Sequence, residues 1–110
     1  VVGDVTDRTC LIFDDMVDTA GTVINGKEAL LKRGANPDVY LVATHAVFSP
    51  PAVSRLKAAK FKEVVVTDTI PLREDARACS KIRQLTIAGL LAETILRIFN
   101  DDSVSSLFIE

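Results

Sequence analysis

The chain has 110 residues, 48% of them hydrophobic and 25% charged, and its formal net charge is −2. This size predicts a single domain over residues 1–110 with a modest hydrophobic core. No basic cluster indicates a nucleic-acid-binding surface, and no apolar run reaches the roughly 18 residues of a membrane-spanning helix. Neither nucleic acid nor a membrane is therefore expected as a partner.

Strands and helices are predicted to alternate along the chain. Apolar runs predict strands at residues 9–13, 39–44, 63–67 and 82–87. Helical periodicity predicts helices at residues 20–33, after Ser49, and at residues 89–99. Gly34 is expected to end the first helix, and Ser49 to cap the second, with Pro50 and Pro51 in its first turn. This alternation predicts an α/β fold, a parallel sheet flanked by helices.

Apolar residues recur on one face of each predicted helix, and these faces are expected to be buried. They are Val23, Ile24, Leu30 and Leu31, then Ala52, Val53, Leu56 and Ala59, and finally Leu91, Ile95, Ile98 and Phe99. The Val-rich strand at residues 63–67 is expected to be buried on both sides. Cys10 and Cys79 are expected to be reduced structural thiols, with an oxidation-sensitive, exposed Cys79 as the alternative.

Polar residues directly follow three of the predicted strands, namely the pair Asp14 and Asp15, then His45, then Asp68. Because parallel strands end at the same edge of a sheet, these residues are expected to converge where α/β proteins bind ligands. His45 is expected to have a structural role by capping loop carbonyls, with a ligand contact or proton transfer as the alternative. Asp68 is expected either to form a turn or to line a pocket. A solvated surface is predicted for Arg73, Glu74, Asp75 and Arg77.

The segment from Asp14 to Thr22 is the most informative part of the chain and reads Asp-Asp-Met-Val-Asp-Thr-Ala-Gly-Thr. Its small residues open a helix whose first N–H groups lack internal partners and favour an anion. The segment contains no Lys or Arg, so a phosphate is expected to be held by the amides and hydroxyls of Thr19, Ala20, Gly21 and Thr22. Its carboxylates can accept hydrogen bonds from sugar hydroxyls. The plain alternative is a strand-to-helix turn with Asp18 or Thr19 as its N-cap.

Electrostatics adds a requirement to this prediction. Three carboxylates, on Asp14, Asp15 and Asp18, would repel a phosphate bound beside them. A magnesium ion, or a basic residue from another part of the sequence, is therefore expected to offset their charge.

The same segment resembles the phosphoribosyl-pyrophosphate (PRPP) motif of the type I phosphoribosyltransferase fold, in the form found in ribose-phosphate pyrophosphokinases. Further segments resemble that family in the family's order, at residues 2–5, 44–49, 64–71, 90–93 and 103–108. The resemblance covers nearly all of this chain but implies only the C-terminal half of an enzyme of the phosphate-activated class. The sequence begins with Val1 and not with an initiator Met, so the chain is expected to be a piece of a longer parent protein.

The resemblance implies that the parent transfers the pyrophosphoryl group of ATP to ribose 5-phosphate, which gives PRPP and AMP. Asp14 and Asp15 would then bind the ribose 2- and 3-hydroxyls, while residues 18–22 bind the phosphate. The catalytic groups and the main ligands of the cofactor Mg²⁺ would lie outside this chain, so no catalytic or metal-binding residue is predicted here. A regulatory phosphate or ADP is expected at Ser103, Val104, Ser105 and Phe108. The implied assembly is a homohexamer, and the implied location is the cytoplasm, with an organelle-targeted parent left open.

Three other classes of protein remain open from the sequence. A phosphoribosyltransferase uses the same loop to consume PRPP, but nothing here resembles a nucleobase-binding hood. A non-catalytic regulatory subunit could retain the fold without the activity. A signalling receiver domain also places paired acids after its first strand, but it needs a later Asp and Lys that are absent after the strands at residues 39–44 and 63–67.

Overall fold

A computed structural model describes residues 3–101 of the chain. Its fold is α/β, built on a four-stranded parallel sheet with the strand order β1-β2-β3-β4. The strands are β1 (Leu11–Val17), β2 (Tyr40–Ala46), β3 (Glu63–Thr67) and β4 (Ile82–Leu85). The helices are α1 (Gly21–Lys32), α2 (Ala52–Ala58), α3 (Glu74–Arg77) and α4 (Ala88–Phe99). The predicted fold class is confirmed. None of the helices within residues 3–101 is long and apolar enough to cross a membrane.

The first two strands extend further than the sequence predicted. Strand β1 runs through Asp14 and Asp15, because its backbone continues to pair with β2 as far as Val17 opposite Ala46. Strand β2 likewise includes His45, which lies opposite Met16. Residues expected to follow their strands are therefore held inside the ladder. The single-turn helix α3 was not predicted, although the charged residues around it are exposed as expected.

One face of the sheet forms the core. Successive strands place Ile12, Leu41, Val64 and Ile82 in register across the sheet. Leu41 and Val64 are fully buried, and Ile12 and Ile82 pack against the buried cluster. Helices α1 and α2 supply further core side chains, and their predicted apolar faces are confirmed except at Leu31, which is exposed. The helical core residues are Val23, Ile24, Leu30, Ala52, Val53, Leu56 and Ala59.

The opposite face of the sheet is open within residues 3–101. Phe13 on this face is 72% exposed, and Val65 in the same row is only half-buried. The prediction that residues 63–67 are buried on both sides is therefore wrong for one side. A parallel sheet normally has helices on both faces. Here the shortest dimension of the molecule is 19 Å, which accommodates a sheet and one helical layer.

Helix α4 forms where it was predicted, but its apolar side is not buried. No residue of this helix is buried, and Phe99 is 85% exposed. The inward positions predicted for Leu91, Ile95, Ile98 and Phe99 are therefore wrong for the described part of the chain. Amphipathic periodicity shows which side of a helix is apolar, but it does not show that a partner surface is present.

Helix α2 begins differently from the prediction. The Ser49 hydroxyl does not cap it, and its first residue is Ala52. The two prolines after Ser49 have no N–H to donate, and the first free amide, that of Ala52, bonds to the Ser49 carbonyl instead (2.9 Å). The predicted hydroxyl cap is therefore wrong, because Pro51 has no amide to donate to it and the Ala52 amide bonds to the Ser49 carbonyl.

Both cysteines are free thiols. Cys79 is 5% exposed and belongs to the core cluster. The structural prediction is confirmed for Cys79, and its exposed alternative is wrong. Cys10 is half-buried beside the start of β1.

Helix α1 ends at Lys32 with Arg33 as its C-cap, and Gly34 follows as the predicted stop. The Ala35 amide donates to the Leu30 carbonyl and the Gly34 amide to the Leu31 carbonyl, both at 3.1 Å, which is the Schellman arrangement. Gly34 has a φ of +82°. This left-handed backbone is accessible to glycine at no steric cost.

We expect Gly34→Ala to lower the free energy of unfolding by about 1–2 kcal/mol, the usual cost of a left-handed backbone for an L-residue. The loss is conformational, since a Cβ at this position would meet nothing closer than 3.8 Å. Urea denaturation measures it, with Gly89→Ala as the matched control. Gly89 lies in the first turn of α4 with open space around it, so its replacement should cause no loss. Equal stabilities of the two variants would contradict this account of the helix end.

A buried lysine connects α1 to the end of α2. Lys27 is 6% exposed, and its ammonium donates hydrogen bonds to the carbonyls of Ala59 and Lys60. It also lies 5.4 Å from the centre of the Phe61 ring. Burial lowers the pKa of Lys27, and the nearby charges of Lys81 and Lys60 lower it further. The ammonium thus satisfies carbonyls that the end of a helix leaves unpaired.

The lowered pKa makes stability depend on pH. Between the pKa of Lys27 in the folded state and its ordinary value of 10.5, the unfolded chain binds more protons than the folded chain. The free energy of unfolding should therefore rise with pH across this interval as far as Lys27 contributes. We expect the free energy of unfolding of the wild type, minus that of Lys27→Met, to rise as the pH is raised toward 10.5. Urea denaturation at several pH values measures this difference in the free energy of unfolding. A difference that stays constant or falls as the pH rises would contradict the lowered pKa of Lys27.

Candidate functional site

A cavity of about 260 Å³ lies at the carboxyl end of β1, where the chain turns into α1. It has contributions from the strand, the turn and the first turn of the helix. The lining residues are Asp14, Met16, Val17, Asp18, Thr19, Ala20, Gly21, Thr22 and Val23. Of the seven residues predicted to bind a sugar phosphate, six therefore line one cavity.

The seventh, Asp15, does not line this cavity. Successive side chains of a strand point to opposite faces, so two neighbouring acids inside β1 are separated by the sheet. Asp14 is half-buried on the cavity side, whereas Asp15 is exposed. The Asp15 amide donates to the Asp14 carboxylate at 2.8 Å. The structure thus separates the predicted pair of hydroxyl acceptors and leaves Asp14 and Asp18 as the carboxylates of the cavity.

The start of α1 offers unpaired amide donors. Within residues 3–101, no acceptor meets the N–H groups of Ala20, Gly21, Thr22 or Val23, and the first capping bond is that of Ile24 to the Ala20 carbonyl (3.1 Å). Ala20 is the N-cap, and no side chain in the described part of the chain bonds to it, so the alternative of Asp18 or Thr19 as an N-cap is wrong. The first turn contains no acid that would compete with a bound anion. This is the arrangement that binds phosphate at helix N-termini.

The turn has an unusual backbone conformation at Ala20. Its φ is +73°, in the left-handed region, where a non-glycine residue costs about 1–2 kcal/mol. The Ala20 methyl is 5% exposed and belongs to the core cluster. A strained residue persists only where its surroundings fix it. The core contact of Ala20 is one such constraint on the shape of the cavity.

Arg55 on helix α2 brings a positive charge to the turn. Its Nη1 donates to the Thr19 carbonyl at 3.2 Å and lies 3.9 Å from the position a Cβ would take on Gly21. The sequence indicated that a basic residue from elsewhere should offset the acids, but did not identify it. Only the packing of α2 beside α1 singles out this arginine, because several basic residues occur in that part of the sequence.

His45 and Asp68 hold neighbouring loops together and do not line the cavity. His45 Nδ1 lies 2.7 Å from the Thr69 hydroxyl. The Asp68 carboxylate accepts the Ile87 amide at 2.9 Å, at the start of α4. Hydrogen bonds from Thr86 and Ile87 lower the pKa of Asp68. A structural role for His45 agrees with its contact to Thr69, although this partner is a side-chain hydroxyl and not the expected loop carbonyls. Asp68 connects two loops and does not line the cavity.

Ser103, Val104, Ser105 and Phe108 lie outside the described residues. Within residues 3–101, no group of three or more His, Cys, Asp or Glu side chains is placed to hold a metal ion.

The parallel sheet and its surrounding helices define a type I phosphoribosyltransferase-like α/β domain. A family model described as "Phosphoribosyl synthetase-associated domain" matches residues 1–109, and the chain belongs to this family.

Curated relatives share high sequence identity with the whole chain. A ribose-phosphate pyrophosphokinase from Neisseria meningitidis serogroup A is 57% identical over 110 residues, which are 100% of this chain and 33% of the relative. The corresponding enzyme from Bordetella pertussis is 56% identical over 110 residues, 35% of its length. The chain thus spans about a third of the length of these relatives, where the resemblance had implied a half.

A solved structure agrees with the computed fold. The crystal structure of phosphoribosylpyrophosphate synthetase from Mycobacterium smegmatis superposes with a TM-score of 0.84 at 44% sequence identity. The match covers 91% of this chain and 33% of the other. At this level of similarity, the two chains share the fold.

Proposed function

We propose that this chain is the part of a ribose-phosphate pyrophosphokinase that holds ribose 5-phosphate. The observation that carries the proposal is the cavity at the start of α1, which is lined by four residues with unpaired amides, 20–23, and by the carboxylate residues Asp14 and Asp18. The names of the curated relatives favour this activity over other uses of the fold. The parent enzyme would form PRPP and AMP from ATP and ribose 5-phosphate.

The residues of the cavity suggest how the substrate binds. The 5-phosphate accepts hydrogen bonds from the amides of residues 20–23 and from the hydroxyls of Thr19 and Thr22. The Asp14 carboxylate accepts a hydrogen bond from a ribose hydroxyl. Asp15 lies on the other face of β1, so we assign it no direct contact with a sugar in this cavity.

Within the parent, the bound sugar presents its 1-hydroxyl as the nucleophile that attacks the β-phosphorus of ATP. Such a reaction depends mainly on positioning and charge neutralisation. This chain supplies the position of the acceptor, and we assign no catalytic base to it. Mg²⁺ usually binds to one or two carboxylates together with substrate phosphates. Asp14 and Asp18 fit that limited role, and the main ligands would lie elsewhere in the parent.

The finer features of the proposal rest on sequence resemblance. They are a position in the C-terminal half of the parent, membership of the phosphate-activated class, a hexameric assembly and a cytoplasmic location. The segment with Ser103, Val104, Ser105 and Phe108 would bind a phosphate or ADP effector, since hydroxyl and amide groups suit phosphate.

Phosphorus NMR on the full-length parent, incubated with ATP, Mg²⁺ and ribose 5-phosphate, tests the proposal. Production of PRPP and AMP in equal amounts is the expected result. A folded protein that binds ribose 5-phosphate without turnover would favour a regulatory subunit. Consumption of added PRPP in the presence of a nucleobase would favour a phosphoribosyltransferase. Absence of ribose 5-phosphate binding would overturn the assignment of the cavity.

A further inference from the structure

We propose that Arg55 is a positioning residue that orients the phosphate-binding turn through its bond to the Thr19 carbonyl. The inference rests on the proposed function and adds to it a residue 36 positions away in the sequence. Arg55 does not line the cavity. Its role is therefore to shape the turn from behind and not to bind the substrate.

The geometry of one peptide bond carries the inference. In a trans peptide, the carbonyl of one residue and the N–H of the next point in opposite directions. Arg55 holds the Thr19 carbonyl toward α2. The Ala20 N–H therefore points away from the Arg55 guanidinium, and Ala20 itself lines the cavity. Fixing the Thr19 carbonyl thus also fixes the direction of an unpaired amide in a residue of the cavity wall.

The backbone strain at Ala20 is a reason why the bond from Arg55 to the Thr19 carbonyl is needed. Because Ala20 has a φ of +73°, rotation of the neighbouring peptide units would lower the backbone energy of the turn. The core contact of the Ala20 methyl holds the residue on one side, and Arg55 holds the preceding carbonyl. A Cβ on Gly21 would lie 3.9 Å from Nη1, an ordinary van der Waals distance, so the guanidinium lies beside the first residue of α1 as well as beside the Thr19 carbonyl.

The charge of Arg55 acts in the same direction. The cavity contains two carboxylates and no basic side chain. A guanidinium behind the turn lowers the repulsion that these carboxylates exert on a phosphate. Arg55 combines a fixed donor geometry with a permanent charge, which a lysine supplies only in part.

Steady-state kinetics of the full-length parent test the inference, with the KM for ribose 5-phosphate and the KM for ATP measured separately. Arg55→Ala should raise the KM for ribose 5-phosphate about tenfold, the effect of losing one charge-assisted hydrogen bond, and leave the KM for ATP unchanged. Arg55→Lys should restore part of the affinity. Lys57→Ala is the matched control, because it removes the same charge from an exposed position of the same helix.

The outcomes separate this inference from the proposed function. A wild-type enzyme without PRPP formation or ribose 5-phosphate binding would remove the proposed function itself. If the wild type is active, two results for Arg55→Ala would overturn the positioning role. One is an unchanged KM for ribose 5-phosphate, and the other is an equal rise in the KM for ribose 5-phosphate and the KM for ATP. If Arg55→Ala fails to fold, Arg55→Gln keeps a donor without the charge. An intermediate KM for ribose 5-phosphate in that variant supports the role, and a wild-type value overturns the contribution of charge.

Discussion

Phe61→Ala is expected to lower the free energy of unfolding by about 3–5 kcal/mol, the usual cost of removing a buried aromatic ring. Phe61 is fully buried between the end of α2 and the start of β3. Its loss would open a cavity beneath the sheet and remove the ring beneath the Lys27 ammonium. Urea denaturation followed by circular dichroism measures the effect.

Phe99→Ala provides the matched comparison for this prediction. The same aromatic side chain is 85% exposed at the end of α4, so its removal should change stability by less than about 0.5 kcal/mol. A loss below about 1 kcal/mol for Phe61→Ala would contradict its central place in the core. A large loss for Phe99→Ala would instead show that α4 is covered in solution.

Thr22→Ala is expected to weaken the binding of ribose 5-phosphate roughly ten- to hundredfold, because a hydrogen bond to a charged group contributes about 1.5–3 kcal/mol. Thr22 is exposed at the second position of α1 and lines the cavity. Its hydroxyl makes no hydrogen bond within residues 3–101, so it is free to donate to a ligand. Isothermal titration of the parent with ribose 5-phosphate measures the loss.

Thr22→Ser is the control, since it keeps the hydroxyl and should retain most of the affinity. The thermal unfolding midpoint of Thr22→Ala should stay near that of the wild type, because no core contact is lost. An unchanged dissociation constant would contradict the participation of this hydroxyl in phosphate binding. It would leave the backbone amides as the remaining donors of the cavity.

Local patterns in the sequence predicted the fold well. Hydrophobic periodicity found all four strands and the helices α1, α2 and α4, with β3 bounded as predicted at Glu63 and Thr67. Burial was harder to predict for helix α4 and for the open face of the sheet. The period of a helix shows its apolar side, but coverage depends on which surfaces are present, as Phe99 illustrates.

The candidate site was predictable where it is contiguous in sequence. Residues from Asp18 to Thr22 form one turn, so a motif there describes one place in space. Two features depended on information beyond the motif. The separation of Asp14 from Asp15 depends on how far β1 continues to pair with β2. The contribution of Arg55 depends on which helices are neighbours, which no local pattern specifies.

The open face of the sheet, on which Phe13 is exposed, has a practical consequence for the choice of buffer. Phosphate and sulfate strengthen the association of apolar surfaces, because these ions are excluded from protein surfaces. The same two anions would also compete for the amides at the start of α1. A titration in phosphate buffer would therefore combine self-association with competition at the binding site. Measurements in a dilute, weakly coordinating buffer at several protein concentrations would keep the two effects apart.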